Sequence, residues 1–422
     1  MAYLGMASPD LYRQAIRSSA AITYSVDATL GGAPVVGAQG LAPAGGSITD
    51  TSRPGVRRVL NLELAPEPGL FDLLSPVGTQ LTVTARVRLT DRSTVDIPMG
   101  VFDVDSEKVS EGGGSLSITA PDKWSRIQRA RFIGPAPSYP GVSVVEQIVL
   151  MIRDVLGPAE PVNVLVPDLY LMPPMVWEKD RDKAIIELAR DIGAWVFFDR
   201  LGVATIAPQP TIGLTADWLV DASASGVLTS LDRERSRSGA HNVVVVSSSA
   251  TDGEAFPTVF VWDGDPSSPT YAGTDPRHAV NVGPFGISPY YHDTPLPLDI
   301  GSAYALGESI LARVVGLASQ VSLGQVPNPA VDALDVLDVL PPGSWDTVVL
   351  GYHGGSGGFG VAPFGEGPFG ESGGERGRPI LGRASRGAVL ERHIADTVTH
   401  PLTFGSAQSI EGRSTRADEF AS

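Results

Sequence analysis

The stretch at residues 176–208, VWEKDRDKAIIELARDIGAWVFFDRLGVATIAP, has the clearest secondary-structure pattern in the chain. Residues 182–192 place apolar side chains on one helical stripe, and Gly193 follows where a left-handed cap would end the helix. Residues 194–198 and 203–207 are β-branched and aromatic runs separated by turn residues, which predicts a hairpin. The stretch therefore predicts a helix packed on a hairpin. It contains no His and no Cys, which indicates architecture rather than an active site.

Length and composition predict a folded chain of several domains. At 422 residues the chain is too long for one ordinary core, and the length suggests about three domains. Charged residues make up 18% and apolar residues 42%, which is typical of a globular protein rather than a disordered one. No apolar run approaches the roughly 20 residues that span a bilayer, and the N-terminus lacks the pattern of a signal peptide. We therefore expect a soluble protein that is not secreted by a signal peptide.

Charge and cysteine content exclude several classes of function. The 31 basic and 47 acidic residues give a net charge of −16, which argues against general affinity for a nucleic-acid backbone. The absence of cysteine excludes disulfides, thiolate catalysis and cysteine-based zinc sites. The 48 glycines and 35 prolines predict many turns and hence many strands.

The regions on both sides of the opening stretch are rich in strand patterns. Residues 81–89 alternate apolar side chains with Thr and Arg, as a strand with one buried face does. Residues 143–156 combine a capping box with one apolar stripe, which predicts a helix. The predicted class is α+β and mainly β, with two β-barrel-like domains on either side of a small α+β domain. The predicted divisions are an N-terminal helical segment at 1–20, a first β-barrel domain at 21–130, the α+β domain at 131–210, a second β-barrel domain at 211–405 with a helix at 302–319 and a glycine-rich loop at 351–378, and a polar C-terminal tail at 406–422.

Two short motifs match catalytic patterns in their letters alone. Residues 354–358, GGSGG, fit the nucleophile-elbow pattern, but no helix pattern follows them. Residues 365–370, GEGPFG, fit GxGxxG, but Pro368 and the missing βαβ context deny them a helix N-terminus for a phosphate. We interpret both as accidental matches in glycine-rich sequence.

The titratable residues predict no catalytic, cofactor or metal site. The six histidines are scattered, and no two have the spacing of metal ligands on one helix. Two groups of acids, Asp263 with Asp265 and Asp332 with Asp335 and Asp338, could supply oxygen ligands to calcium. Neither group has the length or the closing glutamate of an EF-hand loop, so turns are the favoured interpretation.

Aromatic and basic residues allow more than one interpretation. The tryptophans at positions 124, 177, 195, 262 and 345 lie near predicted element boundaries, which favours core anchors over a sugar-binding platform. Residues 126–131, RIQRAR, form the clearest basic cluster, which could bind a phosphate but is better suited to an ion pair between subunits. A pair of glycosidase carboxylates can come from distant positions, so glycan hydrolysis stays an alternative.

The order of the predicted domains resembles the tail-tip hub, or minor tail, proteins of bacteriophages that infect actinobacteria. The resemblance covers about residues 20 to 350 and rests on several short segments in a fixed order. They are Gly100-Val-Phe-Asp-Val-Asp105, Ala120-Pro-Asp-Lys-Trp124 with Arg131-Phe132, Val176-Trp177, Leu188-Ala-Arg-Asp-Ile-Gly-Ala194, Asn242-Val-Val-Val245, Asp265-Pro-Ser-Ser-Pro269, and Asn328-Pro-Ala330 ahead of Asp335.

The resemblance implies a structural protein of the virion without enzymatic activity. Members of that family form a homotrimeric ring in which two similar β-barrels per subunit give pseudo-sixfold symmetry around a DNA ejection channel. The expected neighbours are a tail tube or distal tail protein above and a tip, spike or fibre protein below. We expect no specific nucleic-acid binding, no membrane span and no cofactor. The expected location is the tail tip, or baseplate hub, after synthesis in the host cytoplasm.

Two alternatives to a structural hub stay open at the level of sequence. One is a tail-associated glycan hydrolase, for which the scattered acids and tryptophans are the motive. The other is a host-surface adhesin that uses the glycine-rich loop after Gly351. The structural interpretation predicts that Trp195, Phe197 and Phe198 are largely buried within the subunit or against an adjacent barrel.

Overall fold

A computed structural model describes most of the chain. The described residues are 9–18, 20–65, 67, 69–109, 115–208, 216–223, 226–237, 240–248, 257–294, 299–315, 318–341, 350–352, 379–381, 390–403 and 405–414. The glycine-rich loop predicted at 351–378, with its two motif matches, lies almost entirely outside these residues.

The described helices are few and short, and side-chain caps begin two of the longer ones. Ser143 Oγ accepts a hydrogen bond from Glu146 N, and Asp299 Oδ1 accepts one from Ser302 N, so each supplies the first helical turn with an acceptor. The helices are α1 (Pro9–Arg17), α2 (Leu70–Leu73), α3 (Trp124–Arg129), α4 (Val144–Leu156), α5 (Arg181–Asp191) and α6 (Ile300–Val314), with one 3₁₀ turn at Pro276–His278.

Strands dominate the described part of the chain. In chain order they are β1 (Ile22–Leu30), β2 (Ala33–Pro34), β3 (Gly45–Thr51), β4 (Arg58–Leu64), β5 (Thr79–Arg88), β6 (Thr94–Asp103), β7 (Ser106–Val109), β8 (Leu116–Pro121), β9 (Ala136–Pro137), β10 (Val162–Val164), β11 (Val176–Trp177), β12 (Ala194–Phe198), β13 (Ala204–Pro208), β14 (Trp218–Asp221), β15 (Leu228–Ser236), β16 (Val243–Ser248), β17 (Val259–Trp262), β18 (Pro289–Thr294), β19 (Ala318–Gln325), β20 (Val336–Leu340), β21 (Leu350–Tyr352), β22 (Pro379–Leu381), β23 (Glu391–Pro401) and β24 (Gln408–Ser414).

Most of these strands belong to two halves with the same strand order. The first half uses β1, β3, β4, β5, β6 with its continuation β7, and β8, and the second uses β14, β15, β19, β20, β23 and β24. Numbered from first to sixth along the chain, the strands of each half lie in the order first, fourth, fifth, sixth, third, second. The halves differ at one pairing, because β1 runs antiparallel to β5 whereas β14 runs parallel to β20.

The two halves are joined edge to edge. Strand β3 of the first half pairs antiparallel with the C-terminal part of β23, from Thr397 opposite Thr51 to Pro401 opposite Ser47. We call this pairing the closed joint. It makes one path of eight strands, β15-β19-β24-β23-β3-β4-β8-β7, with β15 and β7 at its two ends. Both halves contribute to one hydrophobic core, and each half is barrel-like without closing completely.

An outer layer packs against these halves. It contains α3, α4, α5, the sheet β10-β13-β12, the sheet β17-β16-β18 and α6, which share a second core. The outer layer therefore combines the predicted α+β domain with a segment inserted between β15 and β19. Buried His292 on β18 lies 3.3 Å from buried Asp191 of α5, a contact between those two parts.

The structure confirms the predicted α+β, mainly β class and the helix and hairpin at 176–208, which are α5, β12 and β13. The helix predicted at 302–319 is α6, which ends earlier, at Val314. The β-branched pair Val314-Val315 and Gly316 are poor helix formers, and Ala318 already pairs in β19. The tail predicted as polar contains strand β24, since its alternating Ile410 is buried between β19 and β23. Within the described residues, no helix is both long and apolar enough to cross a membrane.

Candidate functional site

The tip of the β12–β13 hairpin carries a buried arginine that joins three parts of the chain. Arg200 Nε lies 2.7 Å from Asp332 Oδ1, and Nη2 donates to Val331 O at 2.7 Å. Nη1 donates to Pro329 O and, at 3.4 Å, to Pro98 O of β6. Only 6% of Arg200 is exposed. The hairpin of the outer layer is thereby tied to both halves.

Two further arginines extend this contact to the closed joint. Arg57 Nε lies 2.8 Å from Asp50 Oδ1, and Arg58 Nη2 lies 2.8 Å from Asp332 Oδ1 and 3.3 Å from Asp50 Oδ2. Asp50 belongs to β3 and stands opposite Val398 of β23. We call Asp50, Arg57, Arg58, Arg200 and Asp332 the junction cluster. All five are shielded from solvent, so the loss of one partner would leave a buried charge unpaired.

The surrounding charges shift the titration of the groups in and beside this cluster. Burial alone would raise the pKa of Asp332, but Arg200 and Arg58 hold that pKa well below its usual range. Burial, together with the Arg200 charge, lowers the pKa of His400 to about 3, so this histidine is neutral. Burial raises the pKa of Asp122 to about 6. The backbone N–H groups of Arg57, Arg58 and Trp124 donate to its carboxylate and lower the pKa, but their effect is smaller than that of burial.

The hairpin fits closely against β6. Gly202 has φ +71, and a Cβ atom there would stand 2.9 Å from Val101 Cβ, so the turn requires glycine. Phe198 is buried against Trp124 at a ring distance of 6.3 Å. Phe197, on the opposite face of β12, is partly buried under Arg57 at 4.8 Å. With Trp195 also partly buried, the hairpin aromatics pack within the subunit rather than lining an open cleft.

The eight-strand path has one buried face and one polar face. Along β4 and β8, Leu60, Leu62 and Ile118 are buried, whereas their alternating neighbours face outward. On β19 and β24 the same alternation buries Leu323 and Ile410. The charged residues on the polar face include four carboxylates and two cations: Glu63, Asp232, Glu234, Glu411, Lys108 and Arg413.

Two open clefts border the halves. One, of about 620 Å³, lies beside Gly31, Gln80 and Asp103, with Arg126 and Arg129 at its side. The other, of about 430 Å³, lies between α1 and β14. Their acids are held by neighbours. Asp103 pairs with Arg126 at 2.6 Å, and in the second cleft Asp338 pairs with Arg392 at 2.7 Å.

The residues singled out in the sequence are dispersed in the structure. In the basic cluster, Arg126 and Arg129 pair with Asp103 and Asp105 of the same chain. Asp263 accepts hydrogen bonds from Ser268 and Thr270 and Asp265 from Ser267, which is turn chemistry. Asp332 and Asp338 pair with different arginines, and Asp335 accepts from Trp218 Nε1 at 2.9 Å. Nowhere in the described residues do three or more His, Cys, Asp or Glu gather as metal ligands would.

The sequence patterns do not predict the junction cluster. Arg200 stands in a turn of the sequence DRLG, where a charged residue is ordinary, and its partners lie 129 to 132 positions further along the chain. A buried arginine cannot be told from an exposed one by local periodicity. The dipeptide Arg57-Arg58 at the start of a strand is the one local signal that could have drawn attention.

Comparison with known proteins gives a likeness of fold. No protein-family model matches the chain, and no curated protein matches its sequence. A tail protein from Neisseria meningitidis MC58 matches with a TM-score of 0.53 at 11% identity, covering 94% of this chain and 98% of its own. The 43 kDa tail protein of prophage MuSo2 from Shewanella oneidensis matches with a TM-score of 0.51 at 11% identity, covering 94% and 99%. The chain therefore has the fold of phage tail proteins.

Proposed function

We propose that this chain is a structural component of a bacteriophage-type tail. In this proposal three copies form a hub ring at the tail tip, between a sixfold tail tube or distal tail protein above and a threefold tip, spike or fibre protein below. The ring lines the channel through which DNA or an effector passes. The chain acts by assembly and not by catalysis, and its location is the virion.

The likeness to two tail proteins over nearly the whole length of all three chains carries this proposal. A match confined to one domain would fit many unrelated functions, because one fold hosts many activities. Here both halves and the outer layer fall within the matched 94%. The order of these parts also agrees with the hub proteins that the sequence resembles.

The repeated strand order supports a position between rings of different symmetry. Each chain has two halves with the same order of six strands. Three chains would therefore present six similar units to a sixfold ring and three outer layers to a threefold one. A protein with a single such unit could not meet both symmetries in this way.

The polar face of the eight-strand path supports a channel-lining role. Its charges are mostly carboxylates, and Arg413 is paired with Asp396 at 3.2 Å. Carboxylates repel the phosphate backbone, so DNA would pass such a wall without adhering to it. This face is the part of the described chain that we assign to the lumen.

The geometry of the acids supports a non-enzymatic role over a glycan hydrolase. Asp103 in one cleft and Asp338 in the other are each held in an ion pair. A general acid of a glycosidase needs a raised pKa and an open position beside its substrate. Asp122, whose pKa burial raises to about 6, is 3% exposed and occupied by backbone donors. It has no access to a substrate.

Counting the copies of this chain in purified tails tests the proposal. Quantitative mass spectrometry, with the tail tube protein as internal reference, should give three copies per particle. Six copies, or absence from the particle, would contradict it. The two alternatives have their own tests. Release of fragments from host cell wall by the purified protein would favour the hydrolase, and loss of adsorption after deletion of 353–378 would favour the adhesin.

A further inference from the structure

The eight-strand path is a tandem of two equivalent four-strand units. In the second half the unit is β15-β19-β24-β23, and in the first half it is β3-β4-β8-β7. Within each unit, neighbouring strands follow the order second, third, sixth and fifth of their half, where β7 continues the fifth strand of the first half. The end of one unit, β23, meets the beginning of the other, β3, at the closed joint. The remaining ends, β7 and β15, have no strand on their outer side within the described residues.

The register of one unit can be transferred to the other. Leu62 and Leu323 are buried at equivalent places on the third strands, each four residues before a Pro-x-Pro sequence that begins at Pro66 or Pro327. The sixth strands then align Ile118 with Ile410, because each stands opposite its leucine. With these equivalences, β7 of the first half aligns with the C-terminal part of β23 of the second half, and β15 of the second half aligns with β3 of the first.

We propose that β7 of one copy pairs antiparallel with β15 of a second copy, in the register of the closed joint. Thr397 opposite Thr51, Val398 opposite Asp50 and Thr399 opposite Thr49 define that register. Transferred to the open ends, it places three pairs across the boundary between copies: Ser106 with Ser236, Glu107 with Arg235, and Lys108 with Glu234.

The charges at the two ends are complementary in this register. Both charged pairs combine opposite signs, although nothing in the transfer of strand order required this. Shifting the register by one residue toward Glu234 would place Glu107 opposite Glu234 and repel. Two outward edges that can accept a strand also need partners to avoid uncontrolled aggregation.

Glu107 lacks a hydrogen-bond partner for part of its carboxylate among the described residues. One of its carboxylate oxygens, Oε2, is buried and has no hydrogen-bond partner in the described part of the chain. Burial, and then the neighbouring Asp72, raise the pKa of Glu107. Residue 235 of the second copy, which stands opposite Glu107 in this register, is an arginine, a residue type that pairs with carboxylates.

The pairing is head to tail, so each copy offers one β7 and accepts at one β15. Repeated contacts of this kind close into a ring when the rotation between copies permits it. The number of copies in the ring rests on the proposed function, whereas the strand contact does not depend on that number. The contact would continue the polar face without interruption from copy to copy.

Engineered cysteines test the contact directly, because the natural chain contains none. Directly opposed residues of an antiparallel pair have Cα atoms about 4.5–5.5 Å apart, within the range that a disulfide bridges. The full-length variant Lys108→Cys with Glu234→Cys, oxidised at assembly concentration, should give covalent multimers on a non-reducing gel. The control Lys108→Cys with Glu411→Cys, with its second cysteine in mid-sheet, should stay uncross-linked. Cross-links in either single-cysteine variant would overturn the pairing, since they require β7 to meet β7 or β15 to meet β15.

Charge exchange gives an independent readout. Self-association of Lys108→Glu and of Glu234→Lys, measured by sedimentation, should each be about three- to tenfold weaker per contact. The double variant should recover most of this loss, and Glu411→Lys should change little. A wild-type ring that forms while cross-linking and rescue both fail would overturn the pairing and leave the proposed ring intact. A wild-type chain that stays monomeric and is absent from tails would overturn both.

Discussion

The closed joint and the two open ends occupy equivalent positions in the same sheet, but their chemistry differs. At the closed joint, Asp50 is 1% exposed and is held by Arg57 and Arg58. At the open ends the equivalent positions are Arg235 and Glu107. Glu107 lacks a partner for one buried oxygen among the described residues. Within the chain, the buried pair of Arg58 with Asp332 joins the two halves beside this joint, whereas the proposed contact between copies places opposite charges on separate strands.

This difference indicates how one strand order can serve two purposes. The junction cluster joins the two halves, because Asp332 of the second half pairs with Arg58 of the first half and with Arg200 of the hairpin. Opposite charges at a sheet edge instead favour one register and oppose others, and they contribute less to affinity.

The largest effect is expected from Arg200→Met. The change removes a buried cation, so that Arg58 is the one close arginine left to Asp332 among the described residues. The free energy of unfolding should therefore fall by about 3–5 kcal/mol. Thermal and denaturant unfolding would measure the loss. Arg86→Met, which breaks an exposed pair with Asp96, serves as the matched control and should change stability little. Equal stability of the two variants would contradict the role given to Arg200.

A smaller effect is expected from Gly202→Ala at the hairpin turn. Gly202 has φ +71, and the new Cβ would lie 2.9 Å from Val101 Cβ. Backbone strain and crowding together should lower the free energy of unfolding by about 2–4 kcal/mol. Gly193→Ala is the control, because its φ is +67 with nothing within 4 Å of the new Cβ. It should cost about 1–2 kcal/mol from backbone strain alone. If Gly202→Ala is the milder of the two, the close packing of hairpin on β6 is wrong.

The pH dependence of stability separates two buried acids. Arginines depress the pKa of Asp332, so its stabilisation is present above about pH 4 and is lost as the pH falls through its folded-state pKa. Asp122 behaves oppositely. Because its folded-state pKa is raised to about 6, its contribution to stability is fully present below about pH 4 and is lost as the pH rises from there through 6. His400, whose pKa burial lowers to about 3, acts against Asp122, because the unfolded state takes up its proton below about pH 6.5 and the folded state does not. The melting temperature should fall below pH 4, where Asp332 and His400 act in the same direction. Asp332→Asn should flatten the acid side of this profile.

The smallest effect is expected from Tyr12→Phe. The hydroxyl donates to Asn328 Oδ1 at 2.7 Å and accepts from Ala330 N at 3.3 Å, which fastens α1 to the loop that carries Asp332. Loss of these bonds should destabilise by about 1–2 kcal/mol and leave the junction cluster in place. Tyr291→Phe, at a side chain that is 70% exposed, is the control and should be nearly neutral. A loss as large as that of Arg200→Met would show that α1, not the cluster, holds the halves.

Local sequence patterns predicted the helices and strands whose own apolar residues form one continuous buried face. The helix and hairpin at 176–208 and the alternating strand β5 follow from apolar periodicity, and β12 has the predicted bounds. Strands β3, β15 and β24 were missed because their sequences, GGSITDT, LTSLDRERS and QSIEGRS, are short of apolar residues. Partners far along the chain hold them in the sheet. Strand β3 forms the closed joint with β23, and β15 is one of the open ends, so two strands of the proposed assembly contacts were not visible in local sequence patterns.

A single-particle reconstruction of the purified assembly would show both the number of copies and the strands that join them. We expect a ring of three copies, with β15 of each copy beside β7 of the next and the polar face turned toward the axis. A ring of another copy number, or one in which β7 and β15 face solvent while other surfaces make the contact, would contradict it.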